Sequence, residues 1–107
     1  MTSAPKYTLR WSAQAERNVE EVADRIARRD PKVANEWVER VIAHVESTTT
    51  IPLAGRIVPE LNRVELRETF LGRYRIVYRI DGATVTLVTV FAGARHGWPD
   101  ELDPDAD

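Results

Sequence analysis

Arg73-Tyr74-Arg75-Ile76-Val77-Tyr78-Arg79-Ile80 is the stretch on which the fold turns. Successive side chains of a strand point to opposite faces, so Tyr74, Ile76, Tyr78 and Ile80 share one face. Arg73, Arg75, Val77 and Arg79 share the other. The first face must be covered by something apolar; the second is expected to stay uncovered. Leu71-Gly72 precedes the stretch and Asp81-Gly82 follows it, and Asp-Gly between alternating runs is a strong hairpin signal. Val64 to Phe70 and Thr84 to Ala92 therefore read as the flanking strands. Strands adjacent in sequence usually pair, here as an antiparallel meander.

The cover comes from the N-terminal half. Lys6 to Trp11 alternates polar and apolar residues and reads as a half-buried strand. Ser12 stands at an N-cap position. After it Ala15, Val19, Val22, Ala23, Ile26 and Ala27 recur at helical spacing. Asp30-Pro31 then supplies a new cap followed by proline at the first helical position. The second helix places Ala34, Trp37, Val38, Val41, Ile42 and Val45 on one face. So short a turn between two helices makes an antiparallel hairpin. Thr48 to Leu61 is a connector rich in large aliphatics, expected to pack along the sheet. The chain thus reads as α+β with the order β-α-α-β-β-β. A helix hairpin packs on one face of a small antiparallel sheet, and the first strand joins at an edge or beside a later strand. Residues 1–98 form a single domain; residues 99–107 are an acidic tail, expected to be flexible or to fold back on the arginines.

Composition narrows the function. The chain has 107 residues and no cysteine, which removes disulfides and thiolate metal sites. No apolar run approaches the ~20 residues of a membrane span, and the first residues lack the apolar core of a signal peptide, so a cytoplasmic protein is expected. His44 and His96 lack metal-ligand spacing. There is no glycine-rich phosphate loop, so neither a metal nor a cofactor is expected. His44, beside the apolar stripe of its helix, reads as a boundary residue. The net charge of −2 is unevenly spread. Residues 1–49 balance. Residues 50–98 carry seven arginines against four acids, and residues 99–107 carry five acids and no base. Every cation of the basic module is arginine, whose planar fork suits phosphate and carboxylate. Arg73, Arg75 and Arg79 are the centre of a candidate binding surface. Arg67 or Glu68 joins that face according to register, and Arg95 closes one end. Glu60 is a candidate general base if the connector brings it to the arginines.

The run Gly55-Arg56, Pro59-Glu60-Leu61, Arg67-Glu68, Gly72-Arg73-Tyr74-Arg75-Ile76-Val77-Tyr78, Asp81-Gly82 and Val90-Phe91-Ala92-Gly93-Ala94-Arg95 resembles the RelE/ParE superfamily of toxins from type II toxin–antitoxin systems. The resemblance runs from about residue 7 to residue 95 and includes the element order. It implies a small toxin held in a hetero-oligomer by a cognate antitoxin. It also implies one of two targets. RelE-like members cut mRNA in the ribosome; ParE-like members poison DNA gyrase and block replication. Carried over by position, Arg75 matches an arginine that the nucleases keep near the scissile phosphate. Arg56 and Glu60 fall where some keep a base. Arg56, Arg67, Arg73, Arg75, Arg79 and Arg95 are then the target- or phosphate-binding set, with Glu60 and Arg75 the catalytic candidates. Many members carry histidine where this chain has Ala92. Cleavage of a phosphodiester needs both a base and an acid, and beyond Glu60 the proton carriers left are Tyr74, Tyr78 and a displaced His96. A ribosome-binding nuclease also needs broad phosphate neutralisation. A gyrase-poisoning toxin of the ParE-like branch is therefore the favoured reading, with a ribosome-dependent endoribonuclease as the alternative.

Overall fold

In the computed structural model, which describes residues 6–93 and 97–107, the order is β1 (Thr8–Trp11), α1 (Ala13–Ala27), α2 (Pro31–Ser47), a 3-10 turn (Pro52–Ala54), β2 (Arg56–Ile57), β3 (Leu66–Leu71), β4 (Tyr74–Asp81) and β5 (Thr84–Ala92). The strands form one sheet in the order β1-β5-β4-β3-β2. The expected α+β class and the meander of the last three strands are present. The sheet is mixed, however, because β1 runs parallel to β5, with Leu9 opposite Val85. No hairpin joins these two strands, so nothing forces them antiparallel. The connector also contributes more than packing. Its residues Arg56 and Ile57 pair with Glu68 and Arg67 as a fifth strand.

Two glycines set the registers. Leu71 pairs with Tyr74 and Asp81 with Thr84, which leaves two-residue loops that begin at Gly72 and Gly82. Both have φ near +57° (57 and 56), a region that L side chains rarely adopt. A glycine at the first loop position matches the twist of the flanking strands.

The helix hairpin lies on one face of the sheet. Val19, Val22, Trp37, Val41 and Val45 pack there against Tyr74, Ile76, Leu87 and Val90. Leu87 and Val90 are three apart yet share that face, because the pairing shifts between Val77 and Tyr78 and leaves Val88 as an extra residue. The carbonyl of Val88 is then satisfied from α1. Ser12 Oγ donates to it at 2.8 Å and Gln14 Nε2 at 3.1 Å. Ser12 Oγ also accepts the Ala15 N–H at 2.9 Å as N-cap. Asp30 caps α2 in the same way, accepting from Lys32 and Val33.

The other face carries a second core of Val58, Leu66, Val77 and Val88, with Leu61, Phe91, Trp98 and Ala106 packed against it. The arginine face is therefore covered, by the connector and by the C-terminal segment. Val77 lies in the arginine stripe, and the connector's aliphatics supply what it needs to be buried. Among the described residues no helix is long and apolar enough to cross a membrane.

Ser12 holds the cap of α1 and the orphan carbonyl of the bulge at once. Ser12→Ala is expected to lower stability by about 1–3 kcal/mol, read from the urea midpoint at constant m-value.

Candidate functional site

The hairpin loop decides which residues meet Arg75. A two-residue loop puts Phe70 opposite Arg75 and Glu68 opposite Val77, so Glu68 lies diagonally across from Arg75 on the same face. Arg67 lies on the other. Strand β2 brings Arg56 beside Glu68, and the connector beyond it carries Glu60 over the strand.

These four side chains form one network. Arg75 Nη1 and Nη2 donate to Glu60 Oε2 and Oε1 at 2.6 and 2.8 Å, a two-pronged pairing. Arg75 Nε donates to Glu68 Oε1 at 2.8 Å, and Nη2 reaches the same oxygen. Arg56 Nε donates to Glu68 Oε2 at 2.5 Å. The Arg75 side chain is 3% exposed, that of Glu68 0% and that of Glu60 20%. The Arg75 guanidinium also lies 5.2 Å from the centre of the Phe91 ring, where the ring's negative face attracts it. Two guanidinium groups and two carboxylates sum to zero charge.

The Arg75 guanidinium, by donating to it, holds the Glu60 carboxyl down to about 2, against an opposing push from burial. The hydrogen bonds to Glu60 and then to Glu68 in turn raise Arg75 above its ordinary value. Glu60 does reach the arginine, then, but as a fully ionised counter-ion. A base so weak transfers protons poorly near neutrality. Arg75 donates four of its five guanidinium N–H bonds to carboxylates, and its side chain is buried.

Two glycines make room for this arrangement. A Cβ on Gly93 would stand 1.8 Å from Arg75 Cδ, and one on Gly55 would stand 2.1 Å from the Tyr78 hydroxyl. The Tyr78 hydroxyl donates to the Pro52 carbonyl at 2.5 Å. Arg67, on the helix side of β3, donates to the carbonyls of Val64, Leu53 and Gly55. Together they clamp the connector from that side.

The remaining sequence candidates separate. Arg79, expected on an open face, is buried beneath the C-terminal segment. It donates to Asp81 Oδ2 at 2.7 Å, the Ala106 carbonyl at 3.1 Å and Asp107 Oδ1 at 2.7 Å. Arg63 pairs with Asp105 at 2.7 Å. The segment expected to be flexible is held at further points. Trp98 Nε1 donates to the Leu102 carbonyl, and the Asp103 N–H donates to Gln14 Oε1, each at 2.8 Å. Trp98 packs edge-on against Phe91. Acidic residues had basic ones to fold onto, and Trp98 and Ala106 supplied apolar anchors. Arg73 stands exposed at the β3–β4 turn, with its guanidinium 5.5 Å from the Tyr74 ring centre. Arg95 and His96 lie outside the described residues.

The sequence reading missed Glu68 as the hub, although the loop length contained the signal. His44, read as a boundary residue, is half-buried. Its Nε2 lies 3.1 Å from Thr69 Oγ1, at a cleft of about 340 Å³ between the end of α2 and the β3 edge. That cleft opens at the sheet edge, where Arg56 and Glu68 of the Arg75 network also line it. Among the described residues no group of three or more histidine, aspartate or glutamate side chains is placed to hold a metal.

Residues 9–97 match the family model for the ParE toxin of the type II toxin–antitoxin system parDE. No match emerged among curated protein sequences. Among solved structures, a chain of a chromosomal ParDE system from P. aeruginosa superposes with a TM-score of 0.72 at 15% identity, covering 84% of this chain and 99% of that one. A chain of the RelBE2 toxin–antitoxin complex from Mycobacterium tuberculosis superposes at 0.54 with 24% identity, covering 79% and 95%. At these identities the likeness is one of fold.

Arg75→Ala leaves Glu68 buried with one partner and is expected to cost about 3–5 kcal/mol, measured by urea unfolding. The acid side gives an independent check. Because Glu60 is depressed from 4.5 to about 2, its contribution is complete above pH 4.5 and lost as pH falls toward 2. Glu60→Gln should remove that part of the acid-unfolding profile; an unchanged profile would mean that the pairing contributes nothing.

Proposed function

Because the chain belongs to the ParE toxin family of type II toxin–antitoxin systems, we propose that it arrests growth by binding DNA gyrase without catalysing a reaction, and that a cognate antitoxin neutralises it by binding. The observation that carries this reading is the Arg56–Glu68–Arg75–Glu60 network, in which Arg75 and Glu60 are committed to each other. An endoribonuclease needs a free arginine on phosphate and a base poised near the working pH. Here Arg75 is buried with four of its five N–H bonds on carboxylates, Arg56 is tied through Nε to Glu68, and Glu60 is the counter-ion of Arg75. The tyrosines do not substitute. Burial pushes the Tyr78 hydroxyl up, and that hydroxyl is already spent on Pro52. Tyr74 belongs to the core beneath the helices. His44 is engaged with Thr69, on the opposite face of β3 from Glu68, and Ala92 stands where many members of the superfamily carry histidine.

The two solved structures of like fold were both determined from toxin–antitoxin systems, which supports an antitoxin as this chain's partner. A cytoplasmic location follows from a gyrase target.

Added to purified gyrase, the chain is expected to abolish ATP-dependent supercoiling, and co-purified antitoxin should restore it. Primer extension on mRNA from translating ribosomes should show no codon-phased cuts. Intact supercoiling at saturating toxin, or the appearance of such cuts, would sink this reading.

A further inference from the structure

Where the α1–α2 turn meets the β3–β4 turn there is a hollow of about 830 Å³ that the Arg75 network does not touch. Arg25, Arg28 and Arg29 reach it from the end of α1 and Arg73 from the opposite turn, and all four are exposed. Its floor is apolar, built from Ile26, Val33 and Tyr74. The ion pairs formed among the described residues use Arg10, Arg56, Arg63, Arg75 and Arg79. The four rim arginines therefore have no carboxylate within ion-pair distance, although Glu21 and Asp24 lie one turn before Arg25 and Arg28. Asp30 is the one acid that lines the hollow, and its carboxylate is occupied in capping α2. Arg73 is held in place by the Tyr74 ring beneath it, so less side-chain freedom is lost on binding.

We propose that this hollow is a docking site for an acidic peptide segment of a partner protein, in which carboxylates meet the arginine rim and an apolar side chain enters between them. Charge complementarity selects the sign, and the apolar floor selects the pattern. The chain displays the same recognition chemistry elsewhere. Asp105 and Asp107 reach Arg63 and Arg79, while Ala106 between them joins the second core. A nucleic acid fits less well. Binding of single strands uses aromatic faces on which bases stack. The aromatic ring here is capped by Arg73, packed edge-on against Trp37 and only 9% exposed. The site does not depend on gyrase being the target, and its test involves no gyrase.

The full chain, labelled with 15N, would be titrated with a Glu-Leu-Glu-Glu-Phe-Glu peptide and followed by amide shifts. Shifts concentrated at residues 25–33 and 72–74, weakened by added salt and by replacing Leu and Phe with Ser, are the expected result. Arg28→Glu/Arg29→Glu, which touches no core residue, should weaken binding about tenfold, the order expected for reversing two exposed charges. Arg25→Glu/Arg73→Glu should do the same if its shift dispersion shows it folded, and Arg40→Glu on the far part of α2 should not. Absence of binding by the wild-type chain, equal binding by the Arg28/Arg29 variant, or shifts confined to Arg63, Arg79 and the C-terminal segment would overturn the proposal. So would a single-stranded oligothymidylate that occupies the same amides more tightly than the peptide.

Discussion

Arg75 is a charged side chain placed in the middle of a sheet and covered on its own face, and most of the architecture follows from keeping it there. Burying an unpaired guanidinium costs several kcal/mol. The cost is met by two carboxylates, one from the neighbouring strand and one from a connector with little regular structure. Glu68 is fixed by strand register. Glu60 is not, so its bond to Arg75 is what draws the connector across the sheet. Once there, the connector pairs Arg56 and Ile57 with β3 and buries Val58 and Leu61 over Val77. Gly93 has to be small because the stem of Arg75 lies against it.

The same solution is repeated two repeats of the pleat away. Arg79 is also buried, and its counter-ions come from Asp81 and from the far end of the chain. Of the five acids of residues 99–107, Asp105 and Asp107 meet Arg63 and Arg79 of the basic module in space. Strand β4 is buried on both faces from Tyr74 to Arg79. A sheet with helices on one side and connector plus C-terminal segment on the other has three layers, and its basic strand is interior.

This placement bears on what a toxin of this family can do. An arginine that holds the fold together is unavailable for a scissile phosphate. The charge left for partners is at the periphery, where the end of α1 and the β3–β4 turn gather four arginines above an apolar floor. A surface of that kind recognises acidic side chains by complementarity and needs no proton carrier. Arg73, in the β3–β4 turn, faces out, and Arg75, two residues on in β4, faces in.

The sequence by itself determined four of the five strands, the helix hairpin and both caps, because these depend on neighbours in the chain: periodicity and capping chemistry are local. It also determined the family, through motifs spread over most of the chain. The turn signal at Leu71-Gly72 left Arg67 and Glu68 as alternatives beside Arg75, and the loop at Gly72-Arg73 settled it for Glu68. Only the tertiary structure decided that the arginine face is covered, that β1 runs parallel to β5, and that Glu60 is a counter-ion. Each of these rests on contacts between residues far apart in sequence: Glu60 with Arg75, Asp107 with Arg79, Leu9 opposite Val85. Alternation assigns a side chain to a face of its strand, but whether that face meets water depends on where the rest of the chain comes to lie.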